Sequence, residues 1–262
     1  MRPAAVAGQF YPGSGAELEH QLDGMLHPES EIAVLGAVVP HAGYIYSGHV
    51  AAAVYSCLPK ADTFVIIGPN HHGIGSPVAL SRDSWKTPMG VVETDGEMAD
   101  ALAGSIIDHD ETAHIYEHSI EVQLPFLQRR FSGFKILPIC MGLQDEETAS
   151  EVGREIASAA KKIGHRCIII ASSDFTHYEP QERARSVDSK LLEAILNMDV
   201  PELYSRVRRY DATACGYGPI AATITAASGL GAKAGRLLAY ATSGDVSGDR
   251  HQVVGYGAVV FS

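Results

Sequence analysis

The chain reads as an α/β protein, a single-domain three-layer α/β/α sandwich, and three observations predict it. Apolar runs at residues 32–39, 63–67, 135–141 and 166–171 are short enough for strands and lack the alternation of a half-exposed sheet. Helical patterns separate these runs, so strand and helix alternate almost throughout, which implies parallel strands and right-handed crossovers. No internal repeat, low-complexity tract or linker interrupts the alternation, so residues 1–262 are expected to form one domain.

Each element follows from local pattern. Residues 8–13, Gly-Gln-Phe-Tyr-Pro-Gly, form an aromatic turn expected to pack across the body of the domain. Apolar positions 18, 22, 25 and 26 predict a short helix, and the strand at 32–39 follows. Ser47 is an N-cap candidate for an Ala-rich helix running to about Leu58, after which the strand at 63–67 stops at Gly68 and Pro69. Segments 78–81 and 90–93, separated by Trp85, Thr87 and Pro88, read as a hairpin or flap laid over a site. Asp95 caps a helix expected to reach about Ile107, and residues 117–131 read as a helix interrupted or bent near Pro125. Residues 145–164 have acids at the start, Lys161 and Lys162 at the end and Gly164 as a stop, the pattern of a long amphipathic helix. Further helices are expected at 182–197, 201–209 and 219–228. Two closing strands, 236–241 and 252–261, flank a Ser/Gly/Asp loop at 242–250.

Composition narrows the function classes. With 46% hydrophobic residues the chain can bury a large core. Its net charge of −11 opposes binding to nucleic acid or anionic membranes. No apolar stretch is long enough to span a bilayer, and residues 1–10 lack the build of a signal peptide, so a cytoplasmic location is expected. Cys57, Cys140, Cys167 and Cys215 show no CxxC pair or framework spacing, which fits a reducing compartment. Of these, Cys215 stands apart, in a turn-like Thr-Ala-Cys-Gly segment that can present a thiol.

Ligands in open α/β sheets bind beyond the carboxyl ends of the strands, and polar residues collect there in this chain. His41 follows the first strand between Pro40 and Gly43, His71 and His72 follow the second, and Asp174 and His177 follow the strand at 166–171. A neutral imidazole so placed suits Zn, Fe or Cu, and a thiolate at Cys215 would be a soft ligand or a nucleophile. Adjacent side chains in extended backbone point oppositely, so one of His71 and His72 should face the crevice. Asp174 and His177 suit an orienting carboxylate and a proton-transferring imidazole, and His118, between Glu117 and Glu121, sits where its segment turns apolar. Singly, a turn histidine, a capping aspartate or a small core cysteine accounts for each. Together they predict one metal site.

Five ordered segments, PHAGY at 40–44, GPNHH at 68–72, EHSIE at 117–121, SSDFTH at 172–177 and CGYGPI at 215–220, resemble the signatures of the Memo family. That family is named for a mediator of ErbB2-driven cell motility and includes protein B of the AmmeMemoRadiSam system. The resemblance implies a fold similar to the LigB-like class III extradiol dioxygenases. It also implies His41, His72 and Cys215 as metal ligands, His177 as acid/base, and Asp174 and His118 as supporting groups. The implied cofactor is Fe(II) or copper, with Zn possible. Thiolate in place of a carboxylate ligand softens the site and argues against catechol ring opening. The implied function is a redox enzyme acting with dioxygen on a small-molecule substrate. The alternative is a non-enzymatic binding or adaptor protein for a peptide or protein, with radical-SAM system proteins as the implied partners.

Overall fold

The computed structural model describes residues 1–27 and 32–262. In chain order the elements are α1 (Gly15–Asp23), β1 (Gly36–Val39), α2 (Tyr44–Cys57), β2 (Thr63–Pro69), β3 (Val78–Leu80), β4 (Trp85–Thr87), β5 (Gly90–Val92), α3 (Gly96–Ala101), β6 (Asp108–His109) and α4 (Leu124–Arg130). They continue with β7 (Lys135–Met141), α5 (Glu146–Ile163), β8 (Cys167–Ser172), β9 (His177–Glu179), α6 (Gln181–Leu196), α7 (Val200–Tyr210), α8 (Tyr217–Leu230), β10 (Gly235–Thr242), α9 (Ser243–Ser247) and β11 (Val253–Phe261).

One large sheet runs in the order β10-β11-β1-β8-β2-β7-β3-β6, with β9 added to β11. Its centre, β1-β8-β2-β7, is parallel, as the buried apolar runs require. The flanks make it a mixed sheet: β11 pairs antiparallel with β1, β10 with β11, and β3 with β7. The connection from β10 to β11 is too short for a crossover and therefore reverses the chain.

Alternate residues of the central strands feed two cores. Val65, Ile67, Ile169 and Leu137 pack beneath α5 and α8, while Phe64, Ile66, Ile168 and Ile170 pack beneath α1, α2 and α4. Helices on both faces of one sheet give the expected sandwich.

Several boundaries shift for identifiable reasons. In α5 the cap and stop act as read: the Asp145 carboxylate accepts the Thr148 N–H, and Gly164 adopts φ 76°. The helix expected at 117–131 is interrupted rather than bent: α4 starts at Leu124, and Pro125 sits in its first turn, where a residue needs no N–H partner. α2 begins at Tyr44, ahead of Ser47, and the helix capped by Asp95 ends at Ala101. The segment at 78–81 joins the main sheet as β3, and only β4 and β5 form the hairpin. Trp85 does not cover the site as a flap: it is fully buried, with the Arg2 guanidinium 4.0 Å from its ring centroid. The 242–250 loop holds α9, whose first turn carries a capping box between Thr242 and Asp245. Among the described residues no helix is long and apolar enough to cross a membrane.

Candidate metal centre

The carboxyl ends of the adjacent strands β1, β8 and β2 deliver His41, Asp174 and His71 to one crevice, and the turn before α8 brings in Cys215. Gly216 permits that approach, since a Cβ there would lie 2.7 Å from the Ser173 Cβ and 2.8 Å from the Ser172 carbonyl. The ligating atoms of His41, His71 and Cys215 all lie within 4.8 Å of one another, and Cys215 Sγ is 3.2 Å from His41 Nε2. His71 is open to solvent on one side, whereas His41 is buried.

Each donor is held from behind. His41 Nδ1 lies 2.9 Å from Ser172 Oγ. His71 Nδ1 lies 2.9 Å from the Glu117 carboxylate, which also accepts the N–H groups of His71, His118 and Ser119. Burial alone would push Glu117 up, but the hydrogen bond and charge of His71, then His118 and the Ser119 N–H, outweigh it and hold the group well below the usual carboxylate range. An ionised carboxylate only accepts, so His71 carries a proton on Nδ1, and Nε2 is the ring nitrogen turned to the crevice as a potential ligand. His71, Glu117 and His118 also meet ligand-distance criteria, but Glu117 Oε1 already takes three donors, which marks Glu117 as an orienting group rather than a ligand to a second ion.

Desolvation lowers His41 well below the ordinary imidazole value, with the charges of His118 and His71 adding to it, so its ring is neutral. Desolvation, reinforced by the Asp174 charge, pushes the Cys215 thiol well up, while the Asp174 N–H donates to the sulfur at 3.3 Å. A bound cation would reverse that balance by displacing the thiol proton. Two imidazoles and a thiol converging from three segments therefore fit a soft or borderline transition metal.

The other predicted residues surround this set. Asp174 accepts the His41 N–H at 2.8 Å, and burial raises its carboxyl to about 6 against the pull of that bond and of His177. Its carbonyl accepts the Cys215 N–H, so one residue ties two donor loops together. His118 stacks on His71 at 4.7 Å and meets Phe10 at 4.7 Å; burial lowers it to about 4. His177 donates from Nδ1 to the Thr213 carbonyl at 2.9 Å, which leaves Nε2 free, and it lies within electrostatic reach of His41 and Asp174.

His72 is not in the cluster. It is exposed, its ring 6.1 Å from that of Tyr116, and the histidine directed at His41 and Cys215 is His71. Asn70 causes the exchange: its Oδ1 accepts the N–H groups of His72 and Gly73, turning the chain directly after β2, so strand alternation does not extend to these two residues. Glu117 as the holder of His71 and the hydroxyl of Ser172 behind His41 were not singled out from sequence. A carboxylate just ahead of His118 was the available signal for the former. For the latter there is none, because Ser172 reads only as the first residue after the strand at 166–171 and nothing local points its hydroxyl at His41.

Residues 2–260 match the family described as Memo-like protein. Curated relatives span the whole chain. A Methanosarcina mazei MEMO1 family protein is 58% identical over 99% of this chain and 98% of its own, and one from Archaeoglobus fulgidus is 51% identical over 100% and 99%. A Methanocaldococcus jannaschii MEMO1 family protein is 46% identical over 99% and 98%. The solved structure of an uncharacterized Escherichia coli K12 protein shares the fold, with a TM-score of 0.57 at 12% identity, covering 87% of this chain and 100% of that one.

Proposed function

We propose, from the premise that this chain belongs to the Memo-like family, that it is a metal-dependent redox protein whose ion is held by His41, His71 and Cys215. The convergence of these three donor atoms within 4.8 Å, each ring backed by its own hydrogen-bond partner, carries the reading. Two imidazoles and a thiolate suit iron(II) or copper, with zinc the redox-silent competitor for the same ligands. Such a centre, when bound, supplies electron transfer to dioxygen at positions left open by three protein ligands.

The chain's own residues do the rest. Glu117 and Ser172 hold the Nδ1 sides of His71 and His41 away from the crevice. Asp174 holds the His41 and Cys215 backbones in register. His177, fixed by Thr213, takes or gives a proton at Nε2 to a small substrate entering beside His71. His118, sandwiched between His71 and Phe10, closes the opposite wall.

The test is metal analysis of untagged protein followed by dioxygen consumption after anaerobic loading with Fe(II) or Cu(I). Turnover that disappears in His177→Ala with metal still bound is the expected result. Metal binding without turnover for either ion would leave the crevice a binding site and refute the redox assignment.

A further inference from the structure

A buried chain of hydrogen bonds runs behind His41, and its donor order can be read in one direction only. The Tyr55 hydroxyl donates to Gln123 Oε1 at 2.7 Å. The Pro40 carbonyl can only accept, so the amide is oriented with its Nε2 donating there at 2.9 Å and to Ser172 Oγ at 2.8 Å, which leaves Oε1 for the Tyr55 hydroxyl. Ser172 Oγ lies 2.6 Å from the Ser119 carbonyl, which has no proton to give, so the one hydroxyl proton of Ser172 is committed there. With the amide donating on one side and its own proton spent on the other, Ser172 Oγ can only accept from the ring nitrogen 2.9 Å away. Tyr55, Gln123, Ser172 and Ser119 are all buried, out of reach of bulk solvent.

We infer that Tyr55, Gln123 and Ser172 are positioning residues that lock His41 as the Nδ1–H tautomer, holding the Nε2 lone pair toward Cys215 before any ion arrives. The inference deepens the metal reading and rests on it for its purpose, though the proton arrangement exists in the metal-free protein. It also makes the two histidines unequal. His71 is backed by a full negative charge on Glu117, whereas His41 is backed by a neutral hydroxyl with a fixed polarity. A hydroxyl alone can face an imidazole either as donor or as acceptor; Gln123 and the Ser119 carbonyl remove the choice.

Ring-¹⁵N histidine labelling of the metal-free native protein reads the tautomer directly, with His41 assigned by the signals lost in His41→Gln. A protonated Nδ1 and bare Nε2 at His41 are expected. In Ser172→Ala the proton should redistribute to Nε2 while the His71 signals stay unchanged, and the Kd for Zn(II) alone should weaken by roughly 10- to 100-fold. Ser172→Thr, which keeps the hydroxyl, should restore both. A proton on Nε2 in the native protein overturns the inference, whether or not any variant folds. So does a His41 tautomer that is the same in native protein and Ser172→Ala. Native protein with the stated tautomer but no affinity for Zn(II), Fe(II) or Cu(I) would instead defeat the metal reading and leave the lock intact.

Discussion

His71 and His72 are chemically identical neighbours, and the geometry separates them completely. His71→Ala should abolish stoichiometric metal binding, whereas His72→Ala should leave stoichiometry unchanged, as read by metal analysis after dialysis. The same assay should lose metal with Cys215→Ser and retain it with Cys140→Ser or Cys167→Ser, because those two sulfurs lie in strands among core side chains. Glu117→Ala should weaken metal affinity by about 10- to 100-fold without removing a ligand, since His71 would lose both its orientation and its basic partner. At this scale the sequence offers His41 and Cys215 as candidates, and the fold brings them together with His71. The sequence could not choose within the His-His pair, because the choice depends on a turn made by the Asn70 side chain and on a carboxylate 46 residues away in the chain.

Among the elements, α3 shows how one cap links helix, strand and loop. The Asp95 carboxylate accepts the Glu97 and Met98 N–H groups, the Thr63 hydroxyl and His165 Nδ1. Burial acts to raise its pKa, but the Thr63 bond, the Met98 N–H and His165 prevail and hold it below the ordinary aspartate value. A carboxyl depressed by folding contributes stability that is complete above its unfolded value and is lost as pH falls through its folded one. Asp95→Asn keeps a capping side chain but loses the charge. It should cost about 1–3 kcal/mol at neutral pH, and chemical denaturation should show a flatter decline in stability below about pH 4 than the native protein. Element positions were the most legible part of the sequence: β7 and α5 fall where their patterns put them, because buried strand runs and capped amphipathic helices are specified locally. The local pattern carries the helix capped by Asp95 too far and shows only a loop where α9 lies, because short elements depend on packing that no local period reveals.

Over the whole molecule, the amino-terminal segment is a strap. Arg2 is buried and donates to Glu121, to the His114 and Glu117 carbonyls and to Pro3, while Glu121 also accepts the Ala5 and Val6 N–H groups and the Tyr11 hydroxyl. The strap thus fastens residues 2–11 to the segment that carries Glu117 and His118. Arg2→Ala leaves Glu121 charged, buried and short of its cation, and should destabilise the fold by about 3–5 kcal/mol in denaturant titration. Metal affinity should weaken in parallel, as the Glu117 carbonyl loses its anchor. The sequence suggested that the aromatic turn at 8–13 packs across the domain, and Tyr11 does so. It gave no sign that Arg2 is its anchor, since a lone arginine near a terminus ordinarily lies in solvent.

By itself, then, the order of residues determined the alternation of strand and helix, the two-faced burial of the central sheet, and the rim at which reactive side chains gather. Those properties follow from hydrophobic period and local capping, which act over a few residues. Tertiary structure alone decided that β11 and β3 reverse the sheet's edges, that His71 and not His72 turns inward, and that Glu117 and Ser172 stand behind the two rings. Each of these depends on a hydrogen bond or strand pairing between groups far apart in the chain, and such a contact exists only once the chain has closed around it.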